Sequence, residues 1–134
     1  MNSETQDILL ETRQCYCLSA RKQARMLTRR YEDALRPHKL RATQFSILAV
    51  LAQTGALPHT RLAEILGLER TTLTRVAEKM ATRGLLTIRD NPDDARVSVT
   101  AITPTGTSTL TSALPAWKRV QDEITNERTT ADET

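Results

Sequence analysis

Apolar residues recur at helical spacing through most of the chain and alternate in one short region, and that change of period divides it. Ala20, Ala24, Leu27, Tyr31 and Ala34/Leu35 step by three or four and form one stripe. They predict a long first helix from about Ile8, after a frayed arm over residues 1–7, that stops at Pro37. Thr43 is the expected N-cap of a second helix. Its core side is Phe45, Leu48, Leu51 and Ala52, flanked by Ile47, and Gly55 ends it. Pro58-His59-Thr60 leads into a third helix with Thr60 as its cap and Leu62, Ile65 and Leu66 as its apolar face. Ala63 stands where a neighbouring helix would approach closely. Gly67 follows, where a residue with positive φ is wanted, and Leu68 plugs the turn. Leu73, Val76 and Met80 line a fourth helix, which Gly84 stops.

After Gly84 the period becomes two. Leu86-Thr87-Ile88-Arg89 alternates, Asp90 to Ala95 is turn chemistry, and Val97 to Ile102 alternates again. This is a β-hairpin. Thr103 then caps a last helix with Pro104 at its first position. Leu110, Leu114, Trp117, Val120 and Ile124 give that helix a stripe, which Pro115 is expected to kink or split. Beyond Asn126 the chain is polar, and residues 127–134 are expected to be disordered.

The third and fourth helices form a helix-turn-helix, an arrangement that lays its second helix in the DNA major groove, and the hairpin behind it is a wing. The outward residues suit that task. Arg70, Thr71, Thr72, Thr74 and Arg75 cluster at the leading end of the second helix, with Lys79 one turn on. Arginine can pair bidentately with guanine, and threonine can contact phosphate or a thymine methyl. Arg96 stands at the base of the returning strand, where a guanidinium can enter a narrow minor groove; Asp94 is placed to hold it by an ion pair, and Arg89 lies nearby. The plain alternative is a helical hairpin and a solvated wing whose charges serve solubility.

The chain has 134 residues and a net charge of +3, a balance that decides little. Its distribution says more: residues 20–41 carry eight basic and two acidic side chains, and residues 97–134 carry three basic and five acidic. A basic stretch beside a helix-turn-helix suggests phosphate contacts. No apolar run approaches the ~20 residues needed to cross a bilayer, and no signal peptide is visible, so no membrane partner and a cytoplasmic location are expected. Cys15 and Cys17 are too close in sequence for a routine structural disulfide. His38 and His59 read as isolated in loops, with no metal-ligand spacing, nucleophile elbow or phosphate-cradling loop. No catalytic residue, metal or cofactor is expected. A winged helix used only for protein contacts, without specific DNA binding, is the rival reading; it would put apolar or acidic residues where Arg70 and Arg75 stand.

Taken in order, Arg41-Ala42-Thr43-Gln44-Phe45-Ser46-Ile47-Leu48, Leu62 to Arg75, Arg83-Gly84-Leu85-Leu86, Asp90 to Arg96 and Thr103-Pro104-Thr105-Gly106 resemble the MarR family of winged-helix transcription regulators, over about residues 15–125. The resemblance implies a mainly α fold with a small β-hairpin wing, and a homodimer closed by its N- and C-terminal helices. The divisions it suggests are an arm and dimerisation helix over 1–38, a winged helix-turn-helix over 39–103, a dimerisation helix over 104–126 and the tail. It implies a regulator, typically a repressor, that binds a palindromic site in double-stranded DNA. By position Arg70, Thr71, Thr74 and Arg75 fall on the recognition helix, and Arg96 and Asp94 on the wing arginine and its supporting acid. Release would come from a small aromatic or phenolic effector, held near residues such as Arg30, Tyr31 or Phe45, or from oxidation. Cys15 and Cys17, beside Tyr16, are the candidate redox-sensing residues, although Arg21 reads as more than a turn from both; the other reading packs them at the subunit boundary as small hydrophobes. The polar tail departs from the family pattern, so dimer closure would rest on the first helix and residues 106–125.

Overall fold

A computed structural model describes residues 1–94 and 96–133, and only the backbone of Glu133. Ala95 in the expected wing turn and Thr134 at the end of the expected tail lie outside the described residues. The order is α1 (Ser3–Glu11), α2 (Tyr16–Leu35), α3 (Ala42–Thr54), β1 (Leu57–Pro58), α4 (His59–Leu66), α5 (Arg70–Thr82), β2 (Leu86–Asp90), β3 (Ser98–Ile102) and α6 (Pro104–Glu133). The sheet is antiparallel in the order β1-β3-β2, so the predicted hairpin gains a third, two-residue strand that the sequence reading did not foresee.

α3 is the central post. Its Phe45, Ile47, Leu48 and Leu51 are buried together with Leu35 of α2, Leu62 of α4, and Leu73, Ala77 and Met80 of α5. Ile47 is fully enclosed rather than flanking, and Ala52 is exposed. Gly67 adopts φ 66°, and its neighbour Leu68 returns a backbone N–H to the Ala63 carbonyl at 2.9 Å, closing the turn between α4 and α5 as expected. Within α4 the buried arc is Leu62, Ala63 and the half-buried Leu66. Ile65 lies roughly 100° round the helix from the middle of that arc and is exposed.

Several helix ends differ from the expected ones. Thr43 and Thr60 are not caps. Arg41 precedes α3, and the Gln44 side chain accepts its backbone N–H at 2.9 Å; Pro58 precedes α4. The N-terminal arm is helical from Ser3, because Asn2 caps it by accepting the Thr5 N–H at 2.7 Å. The long first helix is interrupted: α1 ends at Glu11, a 3-10 turn spans Thr12–Gln14, and Cys15 takes an extended ψ of 118° before α2 begins. Only the second half of the predicted stripe is covered; Ala20 and Ala24 are exposed, whereas Leu35 is buried.

The last helix is continuous through Pro115 instead of being split. Pro115 and Thr111, whose carbonyl loses its partner, both lie on the solvent side, so water can satisfy that group. Leu114 is exposed; Ala113 and Ala116 are buried in its stead, small enough to let the helix lie close. Residues 127–133 are helical, not disordered. Arg30 of α2 holds Glu127 through two hydrogen bonds, at 2.7 and 2.8 Å, and Thr125, Thr129 and Thr130 hydroxyls return to carbonyls one turn back. The Arg30–Glu127 pair thus ties to α2 a helix end that has little to bury. Among the described residues no helix is long and apolar enough to cross a membrane.

Candidate nucleic-acid interface

α5 starts where Leu73, Ala77 and Met80 must turn inward, and that choice sends Arg70, Thr71, Arg75 and Lys79 outward. Arg70, Thr71, Thr74, Arg75 and Glu78 line one shallow depression along the helix. Thr72 and Thr74 are half-buried. The Arg75 and Lys79 side chains make no hydrogen bond or ion pair with another described residue, which leaves their charges available. Arg70 is engaged: its Nη2 donates to the Arg96 carbonyl at 3.0 Å and ties the start of α5 to the wing.

The wing turn is built by its Asx residues. The Asn91 side chain accepts the Asp93 N–H at 2.9 Å, and Asp94 accepts the Arg96 N–H at 3.0 Å. Asp94 also accepts from the Arg96 guanidinium, Nε at 3.2 Å and Nη2 at 3.5 Å. Those bonds from Arg96, with the Arg70 charge nearby, hold the Asp94 carboxyl below its ordinary range. The Arg96 side chain itself is 90% exposed. Arg89 is exposed on β2, opposite Val99.

Sequence reasoning missed His59. It is not in a loop but opens α4, buried, with Nε2 against the Thr100 hydroxyl and Nδ1 3.3 Å from the Thr74 hydroxyl. A histidine next to a proline carried no signal of this; the partners are 15 and 41 residues away. Burial, and secondarily the Arg70 charge, lowers its pKa from 6.5, with Glu78 opposing. Below about pH 6.5 the unfolded chain takes up a proton that the folded ring resists, so the His59 contribution to stability is constant above that value and falls as pH drops through the window beneath it. Urea unfolding at about pH 7.5 and about pH 5.5 should therefore show a larger loss for the wild type than for His59→Gln. Equal losses would remove His59 from the effect. Asp94 and Glu127, both depressed by arginines, act in the same direction but only in more acid solution.

Away from this face, Tyr31, Leu35, Ala42, Phe45, Ser46 and Trp117 line a cavity of about 130 Å³. Trp117 stacks between Phe45, at 6.0 Å, and Tyr31, at 6.5 Å, and the Tyr31 hydroxyl donates to Gln121. Tyr31 and Phe45 thus meet at one cavity, but Arg30 is drawn away by Glu127 and Glu123. Cys15 and Cys17 are both exposed free thiols. Arg21 is one turn on from Cys17, not beyond reach: its Nη2 lies 3.1 Å from the Cys17 sulfur.

Residues 40–98 match a family model described as the MarR family. The chain is 39% identical to the Mycobacterium tuberculosis transcriptional regulator MosR solved in complex with DNA, over 88% of this chain and 90% of that one, with a TM-score of 0.78. A mutant Escherichia coli MarR complexed with operator DNA shares the fold, with a TM-score of 0.77 at 18% identity over 88% of this chain and 86% of that one. An uncharacterised HTH-type transcriptional regulator of Bacillus subtilis, YhbI, is 27% identical over 89 residues, which are 66% of this chain. The match spans 58% of that relative's length.

Proposed function

Because this chain belongs to the MarR family of winged-helix transcription regulators, we propose that it acts as a cytoplasmic homodimeric repressor that reads a palindromic DNA site with α5 in the major groove and Arg96 in the minor groove. The observation that carries this reading is the bond from Arg70 to the Arg96 carbonyl, which brings the exposed start of α5 and the backbone of the wing arginine together. In this reading Arg75 contacts a base edge, Thr71 and Lys79 contact phosphates, and Arg89 supports the wing contact. Asp94 pre-orients Arg96 and so lowers the entropy lost on binding. Arg70, Thr72 and Thr74 stand at the helix start, where backbone N–H groups also favour phosphate.

The dimer is supported by apolar side chains with no cover in one chain: Ile8, Leu9 and Leu10 of α1, Leu18 and Met26 of α2, and Leu114 of α6 are each more than two-fifths exposed. For release we infer an aromatic effector entering between Tyr31, Phe45 and Trp117, where the cavity of about 130 Å³ comes close to the roughly 150 Å³ that holds a single benzene ring. Oxidation of the exposed Cys15 and Cys17 is the second route, supported by the arginine beside the Cys17 sulfur. A protein-contact module is disfavoured by the exposed cations of α5.

One set of gel shifts tests the proposal. On a duplex selected by this protein from a random-sequence pool, affinity should fall steeply with salt, the mark of phosphate contacts. Failure to select any sequence would leave only the protein-contact reading. Repeating the shifts after peroxide, for wild type, Cys15→Ser and Cys17→Ser, should release the wild type and spare at least one variant; unchanged affinity in all three would discard oxidation as the release route.

A further inference from the structure

His59 is the only buried ionisable side chain among the described residues, and Thr100, its partner, is the only other buried polar one. Placing two polar groups in an apolar core is costly unless they bond, and here both ring nitrogens have a partner. We propose that His59 is a positioning residue for DNA reading: its ring, held between Thr74 of the recognition helix and Thr100 of the wing's central strand, fixes the angle between the two surfaces that meet the duplex. The inference rests on the reading of α5 and the wing given above.

The geometry supports a bridge rather than a plug. Thr100 lies in the middle of the sheet, paired with Leu57 on one side and Ile88 on the other, so its position is that of the whole wing. Thr74 belongs to α5, one turn beyond Arg70. Nδ1 and Nε2 point out of the ring in different directions, so both bonds form only when helix and sheet stand at one relative angle. Apolar contacts between the same elements are non-directional and would allow them to slide. The exposed Arg70–Arg96 bond joins the same two elements at their outer ends but competes with water. His59 is therefore the inner of two ties. It also changes the part played by Thr74, whose hydroxyl is engaged by the ring.

The charged groups that face the ring are Arg70 and Glu78, both from α5; β3 contributes the Thr100 hydroxyl. With one N–H, a neutral ring donates to one hydroxyl and accepts from the other. Glutamine keeps a donor and an acceptor at similar reach; leucine keeps only the packing.

The test is the ratio of affinities for the selected duplex and for random-sequence duplex of equal length. Loss of folded protein lowers both affinities alike and cancels in that ratio, so a purely structural role leaves it unmoved. His59→Leu should lower the ratio about tenfold, and His59→Gln should keep it within about threefold of wild type. Thr74→Val reads the same tie from the other end if the leucine variant does not fold, and should lower the ratio similarly. The double variant His59→Leu/Thr74→Val should lose no more than either single one, because both remove one interaction. A high wild-type ratio left unchanged by His59→Leu overturns the positioning role alone. So does an additive double variant, which would make Thr74 an independent contact. A wild-type ratio near one overturns it together with the DNA reading.

Discussion

Gly106→Ala should destabilise the protein by about 3 kcal/mol, at the upper end of the usual overpacking range, and lower the midpoint of thermal unfolding by roughly 10 °C. An added Cβ would stand 2.2 Å from the Leu85 carbonyl oxygen and 2.9 Å from the Ile102 side chain. The oxygen cannot yield. It accepts the Thr103 N–H at 3.1 Å, while the Thr103 hydroxyl donates to the Gly84 carbonyl at 2.6 Å and accepts the Gly106 N–H at 2.9 Å. The first turn of α6 is thus pinned onto the segment that leaves the recognition helix, and a methyl group there must lift the helix off or break those bonds. Gly67 is the control. Nothing lies within 4 Å of its would-be Cβ, and its φ of 66° with ψ of 30° is left-handed helical, so Gly67→Ala should cost only about 1–2 kcal/mol. Equal costs at the two glycines would mean that the close approach at Gly106 relaxes freely, and the argument for a pinned α6 would fail.

That contrast marks where the sequence could be read and where it could not. Gly67, Gly84 and Thr103-Pro104 carry local physics: a positive φ after a helix, a hydroxyl that accepts the N–H three residues on, a ring with its φ already helical. Each was visible because cause and effect lie within a few residues. Gly106 belonged to a recognisable motif, yet its reason is a carbonyl 21 positions earlier. His59, β1 and the Arg30–Glu127 pair are likewise long-range, and no periodicity announces them. Ile65 and Leu114 fail differently. Helical spacing marks an apolar stripe but not its width, and each sits at the edge of an arc that one chain does not cover. Ile8, Leu9 and Leu10 pose the same problem at larger scale, because α1 meets no other helix of its own chain closely enough to bury any residue. The candidate DNA residues were legible as a set, since outward positions follow from inward ones. Their internal division was not: the structure turns Arg70 towards the wing and Thr74 towards His59, and leaves Arg75 with no such engagement.

Arg75→Ala and Arg96→Ala should therefore fail in different ways. Arg75 projects from the leading half of α5 with a guanidinium that no described residue engages, and a guanidinium facing a guanine edge is worth about 1–3 kcal/mol of discrimination. The proposed homodimer would set two such helices on one site, so in that reading the loss on the selected duplex should be roughly twice that, with relaxed sequence preference and little change on random DNA. Arg96 is already oriented by Asp94 and sits on the wing. In a narrow minor groove its attraction comes from backbone potential rather than a base pattern. Its removal should weaken selected and random duplexes more evenly and make the salt dependence shallower. Asp94→Asn keeps an acceptor for the Arg96 N–H but loses the carboxylate, and should fall between wild type and Arg96→Ala. Titrations of each variant on both duplexes at several salt concentrations separate these patterns. If Arg75→Ala loses equally on both duplexes, Arg75 is a phosphate contact, and base reading by α5 must pass to Thr71 or its neighbours.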